Sequence, residues 1–143
     1  MDLKLFSTFF LFLFFSLQLQ SQKCTLGIGT GDAATIIQIF QLNEEQISQL
    51  GDWRAALTIE MEKIEEEIKI LFEVEPQSTK DELTRLAAKH DVLEAKIISI
   101  SMTYDKKLIN VFNERQYERY KALCHEALRE PIPQSLEKEE NPE

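Results

Sequence analysis

Apolar residues recur at alternating steps of three and four along two long stretches of the chain. The first stretch begins at Asn43 and ends near Glu73, and the second runs from Lys80 to Val111. This spacing places the apolar side chains on one stripe of an α-helix, so two long amphipathic helices are predicted. The stripe of the first helix is Ile47, Leu50, Leu57, Met61, Ile64, Ile68 and Leu71; that of the second is Leu83, Leu86, His90, Leu93, Ile97, Ile100, Tyr104, Leu108 and Val111.

The two predicted helices are joined by a short connection. Pro76 ends the first helix, and Gln77 and Ser78 complete the connection. A connection of this length makes the helices antiparallel neighbours, each about 45 Å long. With the turn centred at residues 77–78, we expect these pairs across the hairpin: Leu93 with Met61 or Glu62, Ile97 with Leu57, Tyr104 with Leu50, and Arg54 within reach of Asp105.

Shorter segments flank the hairpin. Residues 22–41 form an N-terminal arm, in which Asp32 caps a short apolar helix from Ala33 to Phe40. A final helix runs from Asn113 to about Glu130, where two prolines stop it. The predicted fold class is therefore all-α, a long antiparallel helical hairpin with short flanking N-terminal and C-terminal helices.

Four segments follow from these elements. Residues 1–21 precede the arm, the arm covers 22–41, and the hairpin domain with its final helix covers 42–130. Residues 131–143 are rich in glutamate and poor in apolar side chains, which predicts a disordered acidic tail.

Each long helix carries more apolar residues than a two-helix seam can bury. The surplus residues are Ile59, Ile70, Val92, Ile98 and Met102. We expect them to be buried beneath the arm, the final helix or a second copy of the chain. Because one thin hairpin cannot bury two stripes, the surplus predicts a homodimer.

The first 21 residues have the pattern of a signal peptide. Lys4 is followed by an apolar run from Leu5 to Leu17, which is shorter than the roughly 20 residues that span a bilayer. Cleavage after Ser21 is expected, and an uncleaved membrane anchor is the alternative. The cleaved protein would be periplasmic or secreted and would have no stable membrane insertion.

The charge of the chain limits its partners. The formal net charge is −9, which argues against a nucleic acid and against anionic lipid, because both need a basic face. No nucleophile and base are recognisable around the two histidines, so neither an enzyme nor a cofactor is predicted.

Two cysteines remain after cleavage, Cys24 and Cys124. An exported chain meets an oxidising compartment, where an even number of cysteines indicates a disulfide. An intramolecular Cys24–Cys124 bond would tie the arm to the last helix. An intermolecular bond or two free thiols are the alternatives.

The glycines and His90 offer weaker candidate sites. Gly27, Gly29 and Gly31 alternate, but the strand and the βαβ pattern of a nucleotide-binding loop are missing, so a flexible lead-in is expected. His90 lies on the apolar stripe. A core histidine bonded to Glu94 or Glu65 is favoured there over a metal ligand, and no metal site is predicted.

A short motif occurs twice. Residues 42–46 read Leu-Asn-Glu-Glu-Gln, and residues 112–116 read Phe-Asn-Glu-Arg-Gln. In each copy Asn is expected to cap a helix, and Gln at the third helical position completes a capping box. The residues concerned are Leu42, Asn43, Gln46, Phe112, Asn113 and Gln116. Aligning the copies pairs Leu50 with Tyr120, which predicts that the motifs pack around a pseudo-twofold axis at the open end of the hairpin.

The doubled motif resembles the LTxxQ motif of the Spy and CpxP group of periplasmic proteins, with Asn in place of Thr in both copies. The resemblance covers roughly residues 33–130. It implies an all-helical protein that pairs as a cradle-shaped dimer. Some members of the group are ATP-independent chaperones, some restrain an envelope-stress sensor, and relatives bind zinc, copper or nickel.

The function expected from these features is chaperone-like holding of unfolded proteins in the bacterial envelope. The alternative is a stress- or metal-responsive periplasmic regulator that binds a membrane sensor. In both cases the partners are proteins.

Overall fold

A computed structural model of the protein describes residues 22–135. This part of the chain contains four α-helices: α1 (Ala33–Phe40), α2 (Glu44–Val74), α3 (Lys80–Asn110) and α4 (Glu114–Glu126). Two long helices pack against each other, and this confirms the all-α class and the helical hairpin. None of the helices within residues 22–135 is long and apolar enough to cross a membrane. The predicted signal peptide lies outside the described residues.

The first helix is defined at both ends by specific caps. The Asp32 carboxylate accepts hydrogen bonds from the backbone N–H groups of Ala34 and Thr35, as expected of an N-cap. At the other end Gln41 adopts a left-handed conformation with φ of 50° and donates its N–H to the Ile37 carbonyl. The turn directs the chain into α2 and places the Phe40 ring 4.7 Å from the ring of Phe112, centroid to centroid.

The helices of the hairpin pair in a different register from the predicted one. Lys96 lies 3.3 Å from Glu67, and the Tyr104 hydroxyl donates to Glu60 at 2.6 Å. Leu93 accordingly lies beside Ile70 rather than opposite Met61. The predicted pairs of Leu93, Ile97 and Tyr104 with Met61, Leu57 and Leu50 are therefore wrong.

The connection between the helices fits the shift in register. Glu75 and Thr79 both have extended backbone angles, so the chain continues past the end of α2 instead of turning in place. In the observed register Lys89 pairs with Glu75, so the residues of α3 before Lys89 extend past the end of α2.

The final helix ends earlier than the sequence predicts. Helix α4 stops at Glu126, four residues before Glu130. Leu128 adopts a left-handed conformation with φ of 54°, and the Arg129 N–H bonds to the Cys124 carbonyl. This is the hydrogen bond of a Schellman cap, which usually has glycine at the left-handed position. Because leucine stands there, the sequence carries no stop signal before Pro131.

Both ends of the described chain are fixed to α4. The Cys24–Cys124 disulfide is present, with a Cα–Cα distance of 5.6 Å. This confirms the predicted intramolecular pairing. Lys23 forms an isolated parallel bridge with Glu130. The Tyr120 hydroxyl donates to the Cys24 carbonyl and accepts from the Ile132 N–H.

Residues 131–135 differ from the predicted disordered tail. Ile132 is buried in the core. The Gln134 amide donates to the carbonyls of Ile109, in the last turn of α3, and of Phe112, just after that helix, at 2.9 and 2.8 Å. The rest of the predicted tail lies outside the described residues.

The hydrophobic core lies at the open end of the hairpin. It joins the arm, α1, α4 and the nearer halves of α2 and α3 in one cluster of buried residues. Beyond this cluster, Ile64 and Leu86 are the buried apolar residues of the described hairpin. The outer half of the hairpin is therefore a two-helix projection from a compact base.

Candidate functional site

The two copies of the motif form the capping boxes expected of them. Asn43 Oδ1 accepts from the Gln46 N–H at 2.9 Å, and Gln46 Oε1 accepts from the Asn43 N–H at 3.0 Å. The same pair of bonds joins Asn113 and Gln116, at 3.0 and 2.8 Å. Leu42 and Phe112, which precede the caps, are both buried. The motif residues therefore set where α2 and α4 begin.

The structure also joins the two motifs to each other. Gln46 and Gln116 exchange amide hydrogen bonds, each 2.9 Å long. The Gln46 amide also donates to the Val111 carbonyl, and the Gln116 amide to the Gln41 carbonyl. Gln41 and Val111 occupy equivalent positions, one residue before each motif, so the arrangement has a local twofold axis. The side chains are buried and their polar groups are paired, which makes this a structural junction rather than a reactive site.

The glycine-rich loop of residues 25–31 is held by Asp105. Its carboxylate accepts backbone N–H groups from Leu26, Gly27 and Ile28 at 2.8, 3.1 and 3.0 Å. Three converging N–H groups are what an anion-binding loop offers to a phosphate. Here a carboxylate of the protein itself fills that position, so the loop is not free to bind a nucleotide.

Arg54 holds the same loop through its carbonyl groups. Its guanidinium donates to the carbonyls of Ile28 and Gly31, the second at 2.9 Å. The predicted contact of Arg54 with Asp105 is wrong, since each side chain binds the loop instead of the other. The sequence left Arg54 and Asp105 as polar residues near an apolar seam, and it offered no signal that the arm would fold between them.

Burial sets the acid–base behaviour of Asp105. Desolvation raises the pKa of its carboxyl group above 3.8, and the three N–H hydrogen bonds offset part of that rise. The residue is 1% exposed. Asp105 is therefore a buried anchor rather than a surface carboxylate.

A groove of about 540 Å³ lies between the glycine-rich loop and one face of the hairpin. The loop forms one wall, and a Cβ built on Gly29 would lie 2.6 Å from Leu57, so the loop packs closely against the floor. The apolar residues of the groove are Leu57, Met61, Ile97, Ile98 and Met102, and the carboxylates along it are Glu62, Glu65 and the buried Asp105.

The outer part of the hairpin exposes large apolar side chains. Val92 and Ile98 are 67% and 60% exposed, and Ile59 is 55% exposed. Ile70, Val74 and Val92 line an open groove on the hairpin. The surplus residues named from the sequence are thus mostly accessible in a single copy of the chain.

His90 stands in the one group of possible metal ligands found among residues 22–135. Ligand atoms of His90, Asp91 and Glu94 all lie within 4.8 Å of one another. His90 Nδ1 is 3.7 Å from the Glu94 carboxylate, and its ring meets the edge of Phe72. Both carboxylates are exposed, so the group resembles a solvated face more closely than an enclosed metal centre.

Comparison with known proteins adds no assignment. The chain matches no protein-family model, no curated protein and no solved structure. The resemblance to the Spy and CpxP group therefore stays a prediction from the sequence, and the hypotheses about function depend on the surfaces described above.

Proposed function

We propose that this protein is an exported chaperone of the bacterial envelope, which holds unfolded proteins without ATP. The observation that carries the proposal is the set of exposed apolar side chains on the outer hairpin, including Ile70, Val92 and Ile98. Apolar patches on a charged surface are typical of sites that bind other proteins. Weak and adaptable contacts of this kind suit a partner that has no fixed structure.

Two further features support export to the envelope. The Cys24–Cys124 disulfide is typical of a protein that folds in an oxidising compartment. The apolar run before residue 22 has the length of a signal peptide. The doubled motif, which resembles that of the Spy and CpxP group, agrees with the same location.

Suppression of aggregation tests the proposal. We expect the purified protein, at a near-stoichiometric ratio and without ATP, to reduce light scattering by a chemically unfolded client. The double variant Ile70→Ser/Val92→Ser should suppress scattering less well, because it removes two exposed apolar groups without touching the core.

Leu128→Ser is the matched control. Leu128 is 89% exposed but lies after α4, away from the hairpin, so its replacement should leave suppression unchanged. The proposal fails if the wild-type protein does not suppress scattering, or if all three proteins suppress it equally.

We also propose that the protein is a homodimer. A second copy would cover part of the apolar surface that one hairpin leaves exposed. Light scattering at micromolar concentration should give twice the mass of the chain, and a monomer mass would contradict the proposal.

A metal-responsive regulator that binds a membrane sensor is the second candidate, and the group of His90, Asp91 and Glu94 favours it. Under this hypothesis zinc raises the melting temperature of the wild-type protein and has no effect on His90→Ala. If zinc has no effect on the wild-type protein, the regulator loses the observation that favours it.

A further inference from the structure

The groove beside the glycine-rich loop carries charge of one sign. Glu62 and Glu65 lie one turn apart along α2 and both line the groove. Among residues 22–135, neither glutamate forms an ion pair, and no lysine or arginine lines the groove. The third carboxylate, Asp105, is already occupied by the loop. Glu62 and Glu65 are therefore the two charges available to a ligand.

The shape of the groove suits a short helix. Ile97, Ser101 and Asp105 follow one another along the α3 side, which corresponds to about two helical turns, or about 12 Å. The floor is formed by branched or flexible apolar side chains, and methionine adapts to different partners. Because Asp105 and Arg54 fix the loop wall, the groove is formed before a ligand arrives.

We propose that this groove binds a cationic amphipathic segment of another protein as a short helix. The apolar face of the segment would pack on Met61 and Ile98, and its lysines or arginines would meet Glu62 and Glu65. Grooves of this kind bind helices through apolar side chains spaced by three, four and seven residues. The inference rests on the proposed function and deepens it, because it names the class of segment that a client or partner presents.

Two synthetic peptides of about 14 residues test the inference, since a helix of this length has about four turns and spans the whole groove. Both carry leucine at positions spaced by three and four; one has lysine at the remaining positions and the other has glutamate. Binding to the purified protein is followed by fluorescence anisotropy of a labelled peptide. We expect the lysine peptide alone to bind, and more weakly at high salt, because salt screens exposed charges.

Paired variants locate the binding site. Glu62→Gln/Glu65→Gln should weaken binding of the lysine peptide by about fivefold, from two exposed ion pairs of modest strength. Glu66→Gln/Glu67→Gln removes the same charge outside the groove and should not weaken it as much. Likewise Ile98→Ser should weaken binding, and Ile59→Ser, also exposed but outside the groove, should not.

Several results would overturn the inference. Equal binding of the two peptides, or equal effects of the paired variants, would show that the groove does not select cationic segments. A dimer that Ile98→Ser dissociates, with no peptide binding, would assign the groove to a second copy of the chain. If aggregation is suppressed but no peptide binds, the inference fails while the proposed function stands. If the protein neither suppresses aggregation nor binds a peptide, both the inference and the proposed function fail.

Discussion

At the scale of single residues, two asparagines and two glutamines carry out the same task at two places. Asn43 and Asn113 cap the helices, and Gln46 and Gln116 close the capping boxes and then bond to each other. The cap is a local feature, because all its atoms belong to one helical turn. The exchange between the glutamines is a tertiary contact, because it requires both turns to be brought together.

Replacement of Asn43 and Asn113 tests their role as helix caps. Asn43→Ala and Asn113→Ala should each lower the free energy of unfolding by about 1 kcal/mol, the usual cost of losing an N-cap. Urea unfolding followed by circular dichroism measures the change. Asn43→Ser keeps an oxygen that can accept the Gln46 N–H and should cost less, so an equal loss in the alanine and serine variants would contradict the capping role.

The buried carboxyl group of Asp105 predicts a dependence on pH. Burial raises the pKa of Asp105, so the folded protein holds this proton more tightly than the unfolded chain does. The contribution of Asp105 to stability therefore falls as the pH rises from about 3.8 toward the raised value. The stability difference between the wild-type protein and Asp105→Asn should shrink over this range of pH.

Urea unfolding at a series of pH values measures that difference. The hydrogen bonds that lower the pKa of Asp32 and of Glu82 give the opposite dependence, with stability lost as the pH falls. Both residues are present in the two proteins compared, so their effects cancel. A difference that grows as the pH rises would show that the three N–H groups outweigh burial.

At the scale of the elements, the long helices were predicted closely but their alignment was not. Helix α2 begins after Asn43, where the predicted cap lies, and α3 begins at Lys80, the first residue of the predicted second stretch. The periodic stripe shows which face of each helix is apolar, but it repeats every turn and fits several registers equally well. The observed register is the one in which Lys96 meets Glu67 and Tyr104 meets Glu60, and no single residue of the connection predicts it.

Cross-linking tests the register. Lys96 lies beside Glu67, and Lys89 forms an ion pair with Glu75. Treatment with a carbodiimide, which joins amines to carboxylates in direct contact, should produce these two links, and mass spectrometry identifies them. A link between Lys96 and Glu60 would instead support the register predicted from a turn centred at residues 77–78.

At the scale of the whole molecule, the chain is a compact base with a two-helix projection. The base encloses the core, and it is closed by the disulfide, the glycine-rich loop and residues 131–135. The projection buries little, and its exposed apolar side chains are the surface on which the proposed function depends.

Removal of the disulfide tests how the base is held together. Cys24→Ser/Cys124→Ser should lower the free energy of unfolding by about 3–5 kcal/mol, because the bond closes a loop spanning a sequence separation of 100 residues. Urea unfolding measures the loss, and the wild-type protein treated with reductant should behave like the variant. An unchanged unfolding midpoint would contradict a stabilising role.

The sequence by itself determined the helices, the caps of the doubled motif, and the intramolecular Cys24–Cys124 bond as the favoured pairing. These features depend on neighbours within one or two helical turns, or on a count of cysteines, so they can be read from the chain. Only the tertiary structure decided the register of the hairpin, the early end of α4 and the burial of Ile132. It also showed that Arg54 and Asp105 each bind the arm and do not bind each other. Those outcomes depend on contacts between distant segments, in which a small gain in packing selects one arrangement among several that satisfy the same local pattern.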